Sequence, residues 1–221
     1  MDKANRIKPS WMFTLTPTQR QEVLDHSVVV DFASNETIIK QGVAATHILY
    51  LEEGMAKLSV SEKERTTTFK IVPPGSFIGI MCSFVKRSFD FSAVAIKPSR
   101  VRMVDRDVFE NLIRQNGDFA VEMVQLMSLT TNKIVHDLIY LSHKNADGAL
   151  CTILLELVRI FGGHSFQLPF TRLELADMIG YSKESVIHTI SSLQRDGIIE
   201  VSGKNIKVLD PKRLELISRH G

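Results

Sequence analysis

Ser182, Lys183, Glu184, Ser185 and His188 crowd hydroxyl, ammonium, carboxylate and imidazole groups into a short stretch. Such a set suits hydrogen bonding to base edges: a glutamate accepts from a cytosine amino group, and a lysine donates to guanine. Polar residues that merely face water are the plain alternative. The elements around them favour the first reading. Thr171 to Leu193 reads TRLELADMIGYSKESVIHTISSL, two short amphipathic helices around one glycine. Leu173, Leu175, Ala176, Met178 and Ile179 supply the apolar side of the first helix, and Thr171 with Glu174 forms its capping box. Gly180 permits the sharp turn. Ser182 caps the second helix, with Val186, Ile187, Ile190 and Leu193 as its expected buried stripe. This is the pattern of a helix-turn-helix.

The next segment, Ile198 to Leu209, reads IIEVSGKNIKVL. Two β-branched runs flank Ser202-Gly203-Lys204-Asn205, a tight hairpin signal. A hairpin directly after a helix-turn-helix is a wing, and Lys204 and Lys207 on it suit phosphate contact, with solubilising surface lysines as the plain alternative.

The whole chain sets limits. Its 221 residues suffice for one or two domains with a substantial core. The net charge is +2, and from Thr171 onward eight Lys/Arg meet seven Asp/Glu. That is short of the strongly basic footprint of many DNA binders, so phosphate attraction must come from local placement. Cys82 and Cys151 are far apart and have no metal-ligand spacing, which reads as a reduced intracellular chain without a metal site. No run reaches the ~18 to 20 apolar residues of a membrane span, and MDKANRIKPSWMF lacks a signal-peptide core. A cytoplasmic location with no membrane partner is expected. No nucleophile–base motif, Walker loop, dinucleotide fingerprint or HExxH occurs, which argues against an enzyme.

Upstream of the helix-turn-helix the character changes twice. Thr16-Pro17 opens a helix expected to run to about Val28. From Asp31 to Arg106, short β-type runs alternate with turns: Thr37–Ile39, His47–Leu51, Ala56–Val60, Thr66–Val72, Phe91–Ile96 and Val101–Val104, punctuated by Gly42, Gly54, Gly75 and Gly79. That spacing predicts an all-β sandwich or barrel for this region. A brief helix follows over Asp107–Ile113, then a long one over Asp118 to about Ser142. Along it Ala120, Val124, Met127, Thr131, Ile134, Leu138 and Leu141 alternate spacings of four and three, a heptad seam fit for a second subunit, with an amphipathic helix packed on its own domain as the alternative. Leu126, Leu129, Val135 and Ile139 add a second apolar side. One side is expected on the β domain and the other on the partner. Asn145-Ala146-Asp147 reads as a hinge, with Asp147 capping a helix over Gly148–Phe161 that Gly162-Gly163 stops. The fold class is α+β, divided into 1–117, 118–144 and 145–221.

In this order the chain resembles the CRP/FNR family of dimeric bacterial transcription regulators. The resemblance runs from about Val29 to Val208. It rests on IIKQG (Ile38–Gly42), LYLEEGMAKL (Leu49–Leu58), PPGSFIG (Pro73–Gly79), FENLIRQNGDFAVEMVQLM (Phe109–Met127) and, most specifically, TRLELADMIGYSKESVIHTISSLQRDGII (Thr171–Ile199). It implies a jelly-roll-like β-roll sensor related to cyclic-nucleotide-binding domains, a dimerisation helix and a winged helix-turn-helix. It also implies double-stranded DNA with a near-palindromic operator, a second copy of the chain and RNA polymerase as partners. Members that bind cyclic AMP hold the ribose with a glutamate after a glycine, and the cyclic phosphate with an arginine before a serine. Here Gly79 is followed by Ile80, and Phe91 precedes Ser92. Ile134 and Val135 fall at the hydroxyl-bearing positions that meet the adenine ring. A buried phosphate without its arginine is an unpaired charge, a cost of several kcal/mol. Lys86 and Arg87 are nearby substitutes, but in the flanking loop. The resemblance thus argues against cyclic AMP.

Oxygen-sensing members carry an N-terminal cysteine cluster that this chain lacks, which argues against an iron–sulfur cluster. Haem-binding members ligate iron by Cys and His near the Gly79 region, where this chain has Gly79 and Met81, with Cys82 shifted. His47 and His136 are the remaining candidate ligands for haem. Gly79, Ile80, Met81, Phe84, Phe89, Phe91, Ser92, Ile134 and Val135 form the candidate effector pocket, either for an apolar ligand or haem, or simply filled core. A sensor acting through protein contacts rather than DNA is the rival function. At the DNA surface the family reads bases with Arg-Glu and a later Arg. Lys183-Glu184 keeps the first pair chemically, His188 replaces the later arginine, and Thr171, Arg172 and Ser182 fall at phosphate-clamping places.

Overall fold

The computed structural model describes residues 10–221 apart from Glu64 and Lys86. Lys86, weighed above as a phosphate partner, lies outside the described residues. The chain forms two compact units, Met1–Asn132 and Lys133–Gly221.

In the first unit, α1 spans Pro17–Asp25 and opens with a reciprocal capping box between Thr16 and Gln19. It ends earlier than expected, because Ser27–Phe32 is strand β1. Val28, Val29 and Val30 pair antiparallel with Met103, Arg102 and Val101. Stiff β-branched side chains fit a pleated surface better than a helix. There follow β2 (Thr37–Ile39), β3 (His47–Glu62), β4 (Arg65–Val72), β5 (Ser76–Ile78), α2 (Ile80–Val85) and β6 (Ser92–Asp105). The sheet order is β1-β6-β3-β4, with β2 on β6 and β5 on β3. Two pairs of expected short strands are therefore single long ones. β3 and β6 pair from His47↔Asp105 to Ser59↔Ser92, and register shifts between Leu51 and Ala56 bend them without breaking the ladder.

Asp105 caps α3 (Arg106–Gln115), its carboxylate accepting from the Asp107 and Val108 amides. Helix α4 spans Gly117–Ser142. Two apolar clusters make the core of this unit. One fills the roll with Leu49, Leu51, Leu58, Ile78, Phe89 and Phe91 among others. The other gathers Trp11, Tyr50, Phe109, Leu112, Phe119 and Met123 outside it. Phe109 meets Phe119 edge-on at 5.3 Å, an arrangement that adds to simple area burial.

The side of α4 that enters this core is Phe119 and Met123, with Met127 packed against it. The second apolar side offered by the sequence does not: Leu129, Val135 and Ile139 are exposed and Leu126 is half-buried. Of the seam positions, Ala120, Met127 and Leu141 are half-buried, whereas Val124, Thr131, Ile134 and Leu138 are exposed.

In the second unit, α5 (Ala146–Phe161) is capped by Asn145, whose side chain accepts from the Gly148 amide at 2.9 Å. Asp147 is therefore not the cap; it stands inside the first turn, where a carboxylate favours the helix dipole. Leu150, Ile153, Leu154 and Leu157 bury one face of α5. The chain continues through β7 (Ser165–Gln167), α6 (Arg172–Ile179), α7 (Lys183–Arg195), β8 (Ile199–Ser202), β9 (Asn205–Val208) and α8 (Pro211–His220). Strands order as β7-β9-β8, so the hairpin gains a third strand. The end of α4 is tied into this unit: Tyr140 donates to the Ser218 carbonyl at 3.1 Å, and the Lys133 ammonium lies 3.0 Å from Glu156.

Candidate nucleic-acid interface

Local chemistry fixes both helices of the turn. The Thr171 hydroxyl accepts from the Glu174 amide at 3.1 Å, and the Glu174 carboxylate accepts from the Thr171 amide at 2.8 Å. Gly180 ends α6 in the left-handed region, φ +74°, which a side chain adopts only with strain. The Ser182 hydroxyl then caps α7 by accepting from the Ser185 amide at 3.1 Å. The Tyr181 hydroxyl donates to the Lys144 carbonyl at 2.6 Å, anchoring the turn to the segment before α5.

The buried arc differs from the sequence reading at two places. α6 buries Leu175, Ala176 and Ile179, leaving Leu173 exposed. α7 buries Val186, Thr189, Ile190 and Leu193, and Ile187 stays 45% exposed. Thr189 takes the inward place because its hydroxyl finds a partner, donating to the Asp147 carboxylate at 2.5 Å. A buried hydroxyl without such a partner is costly. This bond ties α7 to the first turn of α5 and sets which residues of α7 face out. At ~100° per residue, Ile187, Ser191, Glu184 and His188 follow one another around the outward face. Lys183, Glu184 and His188 are exposed and Ser185 is half-buried. An open cleft of 470 Å³ runs between Asn145, Ala146 and Asp147 on one wall and Glu184, Ser185, His188 and Thr189 on the other.

Arg172 is half-buried at the start of α6, and burial lowers its pKa from the usual arginine value. Lys204 occupies the two-residue turn between β8 and β9, and Lys207 lies on β9; both are exposed. The Leu168 amide donates to the Lys204 carbonyl at 2.8 Å, which ties the turn to the segment after β7.

The roll of the first unit bears on the second candidate site. Phe89 and Phe91 are buried there, with ring centroids 5.9 Å apart. They press on Gly79 so closely that a Cβ at that position would meet the Phe91 ring at 2.5 Å. The Ser92 hydroxyl accepts from the Gln41 amide at 3.1 Å. Ile80 is buried in the outer cluster, Phe84 packs against that same cluster, and Met81 is exposed, its sulfur 3.7 Å from the Thr131 hydroxyl. The candidate effector residues are therefore split between two cores, and Ile134 and Val135 belong to the second unit. At the place where the resemblance puts the arginine of a cyclic phosphate stands the buried Phe91 ring, which offers no cation to pair that charge.

Comparison with known proteins agrees with both halves of this geometry. The Crp-like helix-turn-helix domain matches residues 148–217 and the cyclic nucleotide-binding domain matches residues 29–116. Electron transport regulator A of Shewanella oneidensis is 27% identical over 194 residues, covering 83% of this chain and 75% of that protein. The chain belongs to the CRP/FNR family. It is a transcription regulator of that type, with a helix-turn-helix DNA-binding domain.

Among other CRP/FNR relatives, the transcriptional activator protein FnrA of Stutzerimonas stutzeri is 24% identical over 183 residues, 79% of this chain and 74% of that protein. The crystal structure of a CRP/FNR-family regulator from Eubacterium rectale shares the fold, with a TM-score of 0.77 at 19% identity over 93% of this chain and 95% of that one. These relatives are regulators, and no enzyme family is indicated. Among the described residues, no helix of this CRP/FNR member is long and apolar enough to cross a membrane, and no three His, Cys, Asp or Glu side chains converge as metal ligands. Sequence reasoning misplaced two residues near the candidate interface. Asp147 read as a cap, a place that Asn145 takes, and Ile187 read as core, where Thr189 stands instead, bonded to Asp147.

Proposed function

We propose that the protein is a homodimeric, sequence-specific regulator that reads a near-palindromic operator with α7 and responds to something other than cyclic AMP. The exposed face of α7 carries the reading, since Lys183, Glu184 and His188 stand free of the core that fixes the helix. Thr171, Arg172, Ser182 and Lys204 supply phosphate contacts around it, and Ser185 lines the cleft beside it. His188 cannot grip guanine in the bidentate manner of arginine, so the target differs from that of members with arginine there. The apolar side chains left exposed along α4, Val124, Leu129 and Leu138 among them, supply a face for a second copy. Two copies place two recognition helices about 34 Å apart in successive major grooves. The likeness to a named transcriptional activator supports RNA polymerase as a partner.

The test is selection of binding sites from a randomised duplex library with the full chain, followed by anisotropy titration of the selected duplex. A near-palindromic consensus, and an affinity that cyclic AMP leaves unchanged, is the expected result. Saturable calorimetric binding of cyclic AMP would overturn the sensor part of the reading, and the absence of any enriched sequence would overturn the DNA part.

A further inference from the structure

Ile187 is a large apolar side chain held 45% exposed on the helix assigned to base reading. A lone exposed hydrophobe needs no explanation on an ordinary surface. Its place is what gives this one meaning. The core would have accepted an isoleucine: the neighbouring buried arc is Val186, Ile190 and Leu193. Instead Thr189 points inward, fastened at 2.5 Å to Asp147, and the bond fixes the rotation of α7. That rotation leaves Ile187 on the same outward arc as Glu184 and His188. Ser191, one turn further along, folds its hydroxyl back onto the Ile187 carbonyl at 2.9 Å, so it does not compete for a base edge there.

A major groove offers one apolar feature to a side chain that can neither donate nor accept: the C5-methyl group of thymine. We propose that Ile187 is a specificity-determining residue that packs on a thymine methyl group in each operator half-site. Glu184 and His188 read neighbouring polar edges, and Ile187 adds a requirement that hydrogen bonding cannot supply. The contact is neutral, so it adds selectivity without adding to the salt dependence that phosphate contacts create. The inference rests on the reading of α7 as the base-reading helix.

The test uses the full chain and the duplex it selects from a randomised library. Each thymine of a half-site is replaced in turn by deoxyuracil, which keeps the base pair and removes only the methyl group. Replacement of the contacted thymine in a single half-site is expected to weaken wild-type binding about fourfold, the effect of one methyl group withdrawn from an apolar contact. Ile187→Ala is expected to bind the thymine and uracil duplexes alike, and Ile187→Val to retain the discrimination. Unchanged far-ultraviolet circular dichroism and melting temperature confirm that the exposed substitution leaves the fold intact. A selected half-site without thymine, no uracil-sensitive position, or sensitivity that persists in Ile187→Ala would each overturn the proposal. Failure of the wild type to select any sequence would instead overturn the reading of α7 itself.

Discussion

Two cysteines show how position decides what a residue can do. Cys151 is fully buried on α5, and burial with the nearby Asp147 carboxylate pushes its thiol up to about 12. The thiolate is the reactive form, so almost none is present at neutral pH. Cys82 is half-buried on α2. Brief treatment of the native protein with iodoacetamide at neutral pH should label Cys82 and spare Cys151 until denaturant is added; peptide mass spectrometry reads the two sites separately. Equal labelling of both would mean that α5 opens far more often than its packing implies. The same lesson applies on α7. The exposure of Lys183, Glu184 and His188 was legible in the sequence, because polar residues that follow a helix cap and interrupt its apolar stripe face outward. Ile187 was not legible, because its spacing from Val186 and Ile190 also suits a buried stripe. What excluded it was the Thr189–Asp147 bond between residues far apart in the chain.

Elements were legible where their ends are written locally. The caps Thr16, Thr171 and Ser182 and the stop at Gly180 are all side-chain or dihedral signals within a few residues, and each helix starts or ends where they say. Thr171→Ala removes one half of a capping box and should lower stability by about 1 kcal/mol in urea unfolding, with Thr171→Ser close to wild type. An unchanged midpoint would show that α6 is held by burial of Leu175 and Ile179 alone. The strands were less legible. β1 merged with the helix before it, since Val28 to Val30 declare themselves only by pairing with Val101 to Met103. β3 and β6 read as four pieces, with Gly54 as punctuation in the first; the long-range ladder carries both strands through. β7 and α8 went unread, the first too short for a period and the second lying beyond the recognised motifs.

At the scale of the whole molecule, α4 is the element with unfinished packing. Only Phe119 and Met123 of its side chains are fully inside, while Val124, Leu129, Ile134, Leu138 and Ile139 remain exposed. The homodimer proposed above accounts for that excess. Leu138→Glu should then shift sedimentation from dimer toward monomer and weaken operator binding, because two half-sites bound by one particle share a single ordering cost. A variant that stays dimeric would move the interface elsewhere. The two units also differ in how closely they keep the family's chemistry. The helix-turn-helix keeps its caps at Thr171 and Ser182, whereas the roll packs phenyl rings against Gly79.

On the proposed function, recognition of a specific duplex rests with α7. Anisotropy titration of wild type and Glu184→Ala against the selected duplex and a scrambled duplex of equal length tests this directly. Wild type should prefer the selected duplex, and Glu184→Ala should lose roughly tenfold or more of that preference, the value of a good base-edge contact, while its weak affinity for scrambled DNA stays the same. Equal wild-type affinity for the two duplexes, or a preference untouched by the loss of Glu184, would contradict it.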